Sequence, residues 1–273
     1  MTVTTTGPVD EASAYTFDNA DRQGPNQLQI LADILDEHST DMLLRAGITD
    51  GRRCLDVGPG RGTITAWMAG QVGPTGHVTA LDLDPRHVTG GDNITIQQGD
   101  VRTIDLPTGS FDLIHTRLLL LHLAERDAVL DRLVAALKPG GVLVVSDWDA
   151  TDRNMLVHAP SPQVADAFNA FQDGLLATLE ANGADVGWAR RAPLAMRTAG
   201  LVDVDTTVHN RLWAGGGAGN LLHVSNSYQL HDALLGRGMS VEQLELFREA
   251  MQDPQTLAYC YWMFTTIGRR PKQ

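Results

Sequence analysis

The stretch Leu55-Asp56-Val57-Gly58-Pro59-Gly60-Arg61-Gly62 decides how this chain reads. It closes a short apolar run, Arg53 to Val57, and precedes Ile64 to Val72, where apolar residues recur at helical spacing. The order is strand, glycine loop, helix. Glycines there allow a sharp turn and bring backbone close to a ligand, while the free N–H groups of the helix start favour a negative group. A dinucleotide fingerprint requires Gly-x-Gly-x-x-Gly; this loop runs Gly58-x-Gly60-x-Gly62 and carries Thr63 at the third-glycine place, which speaks against a nicotinamide cofactor.

Outward from the loop the strand and helix signals keep alternating, as in a sheet whose strands are mostly parallel. Strands are expected at His77 to Leu83, ending on Asp82 and Asp84 before Pro85, at Ile94 to Gln98, at Phe111 to Thr116 and at Val142 to Asp147, the last nearly all apolar as a buried parallel strand should be. A helix is expected from Leu118 to Leu137, stopped by Lys138-Pro139-Gly140-Gly141. Residues 15–47 carry helical patterning, with Gln27, Leu28, Ile30, Leu31, Ile34 and Leu35 on one broad face, and read as a cap. Beyond the core, helices are expected at 160–183 and 188–200, from the glycine run Gly215-Gly216-Gly217 to about Leu235, and at Ser240 to Met251, where Ser240 and Gln243 make a capping box. Val202 to Trp213 and Leu257 to Ile267 read as strands that finish the same sheet as a hairpin-like edge. With no repeat and no linker, the chain reads as a single domain over 1–273: cap 1–47, core 48–150, helical insertion 151–200, and a sheet edge with a substrate-cap helix 201–273.

Composition narrows the function. Of 273 residues, 43% are hydrophobic and 20% charged, and 21 Lys and Arg against 33 Asp and Glu leave a net charge of -12. That field repels phosphate backbones, so no nucleic-acid partner is expected; the basic group Arg269-Arg270-Pro271-Lys272 is short. Arg190-Arg191 reads as solvated charge. The opening MTVTTTGPVDEAS lacks the basic and apolar regions of a secretory leader, and no apolar run is long enough to span a bilayer, so neither export nor membrane insertion is expected. Cys54 and Cys260 lie far apart in apolar segments, which suggests buried thiols and a reducing, cytoplasmic setting. His209, His223 and His231 have no metal-ligand spacing, and no metal is expected.

Asp56, Asp82 and Asp100 fall at consecutive strand ends. An acidic carboxylate at the end of the second strand is placed to accept from ribose hydroxyls, and three acids suit a nucleoside that is not a polyphosphate, including one bearing a sulfonium and an amino group. With these residues in view, the chain resembles the class I S-adenosylmethionine-dependent methyltransferases. The resemblance is carried by LDVGPGRG (55–62), ALDLDP (80–85), QQGDV (97–101), FDLIHTR (111–117) and LKPGGVLVVSD (137–147). Flanking features, YTFDNA (15–20), WMAGQVGPTGHV (67–78), LLHLAERD (120–127) and GRRP (268–271), are similar to those of bacterial members that methylate small, natural-product-type metabolites.

The resemblance implies a doubly wound, Rossmann-like α/β fold with a seven-stranded, mostly parallel sheet and helical cap insertions. It implies S-adenosylmethionine as cofactor, with S-adenosylhomocysteine as product. Gly58 and Gly60 would approach its methionine part, with Asp56, often Glu in the family, ordering the loop and the amino group. Asp82 would take the ribose hydroxyls, Leu83 would lie against the adenine, and Asp100 would meet the adenine amino group with Val101 beside it. His115 and Thr116 would face the methionine portion, and Tyr15 would close over the cofactor. The acceptor would be a small molecule methylated on oxygen, nitrogen or carbon, an aromatic, indole or keto-acid carbon being the case that most needs a base. A cofactor-binding protein that cyclises or regulates without methylating stays open, as does the oligomeric state.

For proton removal, His115 and His223 are the candidate bases, with His122 and His231 read as helix-surface residues. Asn220, His223, Asn226 and Ser227 share one side of a helix, which reads either as an acceptor-binding strip or as a solvated face. Trp148, Phe171, Trp213 and Tyr228 are the aromatic residues placed to stack on an acceptor or to fill a core. Asp147 and Asp149 would line the acceptor side or cap the segment that follows.

Overall fold

The computed structural model describes residues 24–272. A long helix, α1 (Gly24–Ala46), leads into β1 (Arg53–Val57), α2 (Thr63–Val72), β2 (His77–Asp82), β3 (Ile94–Gln98) and β4 (Phe111–Arg117). A single 3-10 turn at Leu120–His122 precedes α3 (Arg126–Ala136) and β5 (Leu137–Asp149). There follow β6 (Leu156–His158), α4 (Pro162–Ala181), α5 (Trp188–Thr198), β7 (Val202–His209), β8 (Leu212–Ala214), α6 (Ala218–Gln229), α7 (His231–Gly236), α8 (Val241–Ala250), β9 (Leu257–Tyr259) and β10 (Trp262–Arg269).

Seven strands make one sheet in the order β3-β2-β1-β4-β5-β10-β7. The first five run parallel, and β10 is antiparallel to both of its neighbours, β5 and β7. This is the mostly parallel, doubly wound sheet expected from the sequence. One face packs on α1 and α2 through Leu43, Ile64, Met68 and Val72, the other on α3 and α5 through Leu130, Leu133, Trp188 and Met196. A third cluster, from α4, α6 and α8 with Ile30 of α1, packs beside Trp148 on β5 and Tyr261 just before β10. The sheet thus carries a helical cap.

Three expectations are revised. The Leu-rich run from Leu118 begins as a turn: Leu118 takes φ 52, and the Asp147 carboxylate accepts the Leu119 N–H, so the first helical turn cannot form there. The helix starts only at Arg126. Val202 to Trp213 and Leu257 to Ile267 each divide into two strands, and β8 and β9 leave the main sheet to form a small second sheet with β6. Both divisions fall at one level, where the Asn210 side chain donates to the Cys260 carbonyl at 2.9 Å and accepts the Arg211 N–H at 2.7 Å. The helix expected to reach Leu235 is broken at Leu230 into α6 and α7. The capping box on α8 is present with both of its hydrogen bonds.

Candidate active site

The glycine loop turns at the end of β1 with Gly58, Gly60 and Gly62 all in the left-handed region, at φ 69, 56 and 80. Only glycine adopts that backbone without strain three times in five residues. The loop is tied to the second strand, Gly58 N–H donating to the Leu81 carbonyl at 2.9 Å. Asp82 ends that strand and accepts the Asp84 N–H at 2.9 Å and the Gly60 N–H at 3.4 Å. Burial pushes its carboxyl upward, and those two backbone N–H groups act against the rise.

Asp56 and His115 are register partners on adjacent strands and almost fully buried. Asp56 Oδ1 lies 2.8 Å from His115 Nδ1, and Asp56 Oδ2 accepts from Thr65 Oγ1 at 2.6 Å. His115 Nε2 and the neighbouring Thr116 Oγ1 are buried without a hydrogen-bond partner. Asp100 is gripped by Arg102, whose guanidinium lies 2.7 Å from Oδ2 and whose N–H donates to Oδ1 at 2.8 Å. Burial raises the Asp100 carboxyl, but the arginine outweighs it and holds the group below its usual range. Leu83 is exposed beside Asp82, Val101 is buried beside Asp100, and Tyr15 lies outside the described residues.

A cleft opens between α1, α4, α6 and the ends of β4 and β5. Among the described residues, none that lines it is Asp, Glu, Lys or Arg. Its walls are Leu31, Leu118, Leu121, Trp148, Leu175 and Leu222, and its polar groups come from Gln27, His122, Asn226 and Tyr261. Gln27 Nε2 donates to Asn226 Oδ1 at 2.7 Å, joining α1 to α6 across the cleft. The two halves of the site share walls. Leu119 covers Gly58 while its neighbours Leu118 and Leu121 line the cleft, and Leu28 covers Gly60 while Gln27 and Leu31 line the cleft.

Asp147 organises that shared wall. It is 1% exposed and accepts from the Leu119 N–H and from Trp188 Nε1, each at 3.1 Å. Burial pushes its carboxyl up to about 7 against those hydrogen bonds. Asp149 instead pairs with Arg190 at 2.6 Å, so this arginine holds a buried carboxylate and is not merely solvated charge. Arg191 pairs with Asp185.

Of the polar strip on α6, the structure puts only Asn226 in the cleft. The strip is buried, not solvated. His223 is 0% exposed, edge-on to Phe168, Phe171 and Tyr261 at centroid distances of 6.0, 5.7 and 5.7 Å, and neither ring nitrogen has a partner. Burial lowers its pKa to about 4, so the ring is neutral. Asn220 donates to the Trp213 carbonyl, Ser227 accepts from Arg248, and Phe171 stacks on Phe247 in the core. Trp148 lines the cleft and packs against Tyr261; Trp213 lines a smaller hollow beyond that pair, and Tyr228 lies under the Arg248 guanidinium.

His122 is the lining residue that sequence reasoning assigned to a helix surface. Its ring is neutral, with burial first and Arg126 second lowering its pKa to about 4. The signal lay in its neighbours: a histidine inside a leucine run is carried inward wherever that run folds. Gln27 was legible in the same way, as an amide set on the apolar face of a helix.

Residues 28–186 match the methyltransferase domain family, more than half of the chain. The chain belongs to this family. With its sheet order and glycine loop it is a class I, S-adenosylmethionine-dependent methyltransferase superfamily member. Among curated relatives, it is similar to the ubiquinone/menaquinone biosynthesis C-methyltransferase of Pseudomonas aeruginosa, 27% identical over 124 residues, covering 42% of this chain and 48% of the relative. The corresponding protein of Vibrio vulnificus is 29% identical over 150 residues, covering 51% and 56%. The chain thus spans about half the length of the curated relatives it matches. Among solved structures, its fold is similar to that of Haemonchus contortus phosphoethanolamine N-methyltransferase 2 in complex with S-adenosyl-L-methionine. The TM-score is 0.58, with 16% identity over 97% of this chain and 62% of that one.

No helix among the described residues is long and apolar enough to cross a membrane. No group of three or more His, Cys, Asp or Glu able to hold a metal occurs among them; His209 stacks on His38, and His231 contacts Arg248.

Proposed function

We propose that this protein methylates a carbon of a small, uncharged, largely apolar molecule held in the cleft. The observation that carries the reading is the cleft lining, apolar and free of acids, lysines and arginines among the described residues. A charged acceptor would lose its hydration there with no opposite charge to replace it. The C-methyltransferase relatives support carbon as the acceptor atom.

The residues present fit S-adenosylmethionine. His115 Nε2 and Thr116 Oγ1, buried without partners at the end of β4, await polar groups, and the left-handed glycines leave a backbone cradle next to them. Gly58 and Gly60 would hold the methionine part, Asp82 the ribose hydroxyls, Leu83 and Val101 the adenine, and Asp100 its amino edge. When bound, the cofactor supplies a methyl carbon on a sulfonium, open to in-line attack. The chain's own task is positioning: Trp148 and the leucines exclude water and fix the acceptor plane, and the Gln27–Asn226 pair offers amide groups to one polar edge.

A carbon that gains a methyl group sheds a proton. His122 and Tyr261 are titratable groups in the lining, and burial acts on them oppositely. The Tyr261 hydroxyl is pushed upward, stays protonated and donates to Gln172, whereas His122 is neutral and has a lone pair to take the proton. The reading extends to one domain over 1–273, a specialised metabolite as acceptor, and a reducing cytoplasmic setting in accord with the two free, buried cysteines. The test is incubation with methyl-labelled S-adenosylmethionine and a metabolite extract supplemented with protein and RNA, followed by mass spectrometry. Label in a small apolar molecule is expected; label in protein or RNA alone, or none despite cofactor binding, overturns the proposal.

A further inference from the structure

Three side-chain amides form a chain with one direction. Gln229 Nε2, at the end of α6, donates to Gln27 Oε1 at 3.1 Å, and Gln27 Nε2 donates to Asn226 Oδ1 at 2.7 Å. The carbonyl oxygens of both cleft-lining amides are thus engaged, and what Asn226 has left is its Nδ2 amino group. Asn226 is 5% exposed, and among the described residues no partner reaches that group. The direction has a physical reason. As it runs, the chain leaves Gln229 Oε1 buried without a partner. Run the other way, it would leave the Gln229 amino group at that place with two unpaired N–H, and orphaned buried donors are rarer than under-used oxygens. The cleft therefore presents a donor on this wall, in a lining that holds no Lys or Arg among the described residues.

We propose that Asn226 Nδ2 is the specificity-determining donor of the cleft. It selects a neutral acceptor whose reacting carbon is conjugated to an oxygen, as in an enolisable ketone or a phenol, over an N–H heteroaromatic such as indole. This rests on the reading of the cleft as the site of carbon methylation. A neutral carbon becomes nucleophilic through a conjugated heteroatom. An oxygen accepts from Nδ2, whereas an indole N–H would meet it donor against donor. For a ketone the step balances with the groups at hand. The proton beside the carbonyl passes to His122, and the electron pair it leaves spreads onto the oxygen that Asn226 faces; that pair then bonds the methyl carbon while the C–S pair goes to sulfur. The amide N–H is in place for the charge as it develops, in a site that keeps water away. Gln229 is not part of the lining and is the positioning residue, since it fixes which way the two lining amides point.

The test is titration calorimetry at pH 8 on the protein saturated with S-adenosylhomocysteine, with three bicyclic probes of similar shape. 1-Indanone only accepts a hydrogen bond, indole donates one through its N–H, and indane does neither, so that indane reports changes in the shape of the cleft alone. Wild type is expected to bind 1-indanone about 10-fold more tightly than indole, the scale of one hydrogen bond made against one donor left facing another. Asn226→Leu should bring the two to within a factor of about two. Gln229→Glu changes no lining side chain, yet a carboxylate cannot donate. Gln27 Nε2 then turns to the carboxylate, Gln27 Oε1 takes the Asn226 amino group, and the open atom becomes Asn226 Oδ1. That variant should prefer indole, whereas a merely structural role for Gln229 would weaken all three probes alike. Equal or tighter binding of indole by wild type overturns the proposal, and so does a preference for 1-indanone that survives either variant. Failure of all three probes to bind wild type would overturn the reading of the cleft as an acceptor site itself.

Discussion

Replacing Asp147 with Asn should remove a pH dependence from the stability of the whole protein. The carboxyl is 1% exposed, and burial raises it to about 7 from a reference of 3.8 despite the N–H groups of Leu119 and Trp188. A carboxyl whose folded value is raised binds its proton more tightly in the folded state. Its stabilising contribution is therefore fully present below pH 3.8 and is lost as pH rises through 7. Between pH 5 and pH 8 this one group should remove roughly 2.5 kcal/mol from the unfolding free energy. Asn does not titrate, so the difference in stability between wild type and Asp147→Asn should change by that amount across the same interval, whatever its absolute offset. Urea unfolding of both proteins at pH 5, 6, 7 and 8 measures it. Parallel pH profiles would refute the reasoning, because the loss of hydrogen bonds alone is nearly independent of pH. A secondary consequence concerns the acceptor: the turn hung on Asp147 supplies Leu118, Leu121 and His122 to the cleft, so the variant should alter acceptor KM more than cofactor affinity.

Four other outcomes are expected. Asp82→Ala should weaken S-adenosylhomocysteine binding by about 10- to 100-fold, since it removes an acceptor of charge-assisted bonds; an unchanged calorimetric titration would sink the ribose assignment. Gly60→Ala places a Cβ 3.2 Å from Leu28 Cδ2 at φ 56, and should cost about 1–2 kcal/mol of stability together with cofactor affinity; equal melting and binding would show that the loop tolerates a side chain. His122→Ala should lower kcat with cofactor affinity unchanged, and an undiminished rate would remove this ring from proton transfer. His223, lowered from 6.5 to about 4, contributes stability that is complete above pH 6.5 and is lost as pH falls toward 4, on the order of 3 kcal/mol; His223→Phe should flatten that acid limb, which stepwise acid unfolding monitored by circular dichroism would show.

What the sequence by itself determined is the part of the molecule governed by local chemistry. The loop from Leu55 to Gly62 needs glycine at each left-handed position, β5 needs to be apolar on both sides because it lies between helices, and the capping box at Ser240 satisfies N–H groups within three residues. Such constraints act over a few residues, so their signature is written in adjacent positions. The alternation of strand and helix signals likewise indicated a mostly parallel sheet, and the acids at three strand ends were found with it, whereas the order in which the strands lie side by side came from the tertiary structure.

Only the tertiary structure decided which side chains line the cleft. The run from Leu118 looks helical in isolation, yet one buried carboxylate from β5 captures its Leu119 amide and turns His122 inward, an interaction across 28 residues. His223 reads as a polar residue on a cap helix, and three aromatic rings from α4 and the approach to β10 close around it. The two long apolar strands divide where Asn210 meets Cys260, 50 residues away. At Leu119 and at the Cys260 carbonyl a backbone polar group found a partner that sequence proximity did not supply, and satisfying it mattered more than the local preference of the segment, whereas His223 is enclosed by aromatic packing with both ring nitrogens unpaired.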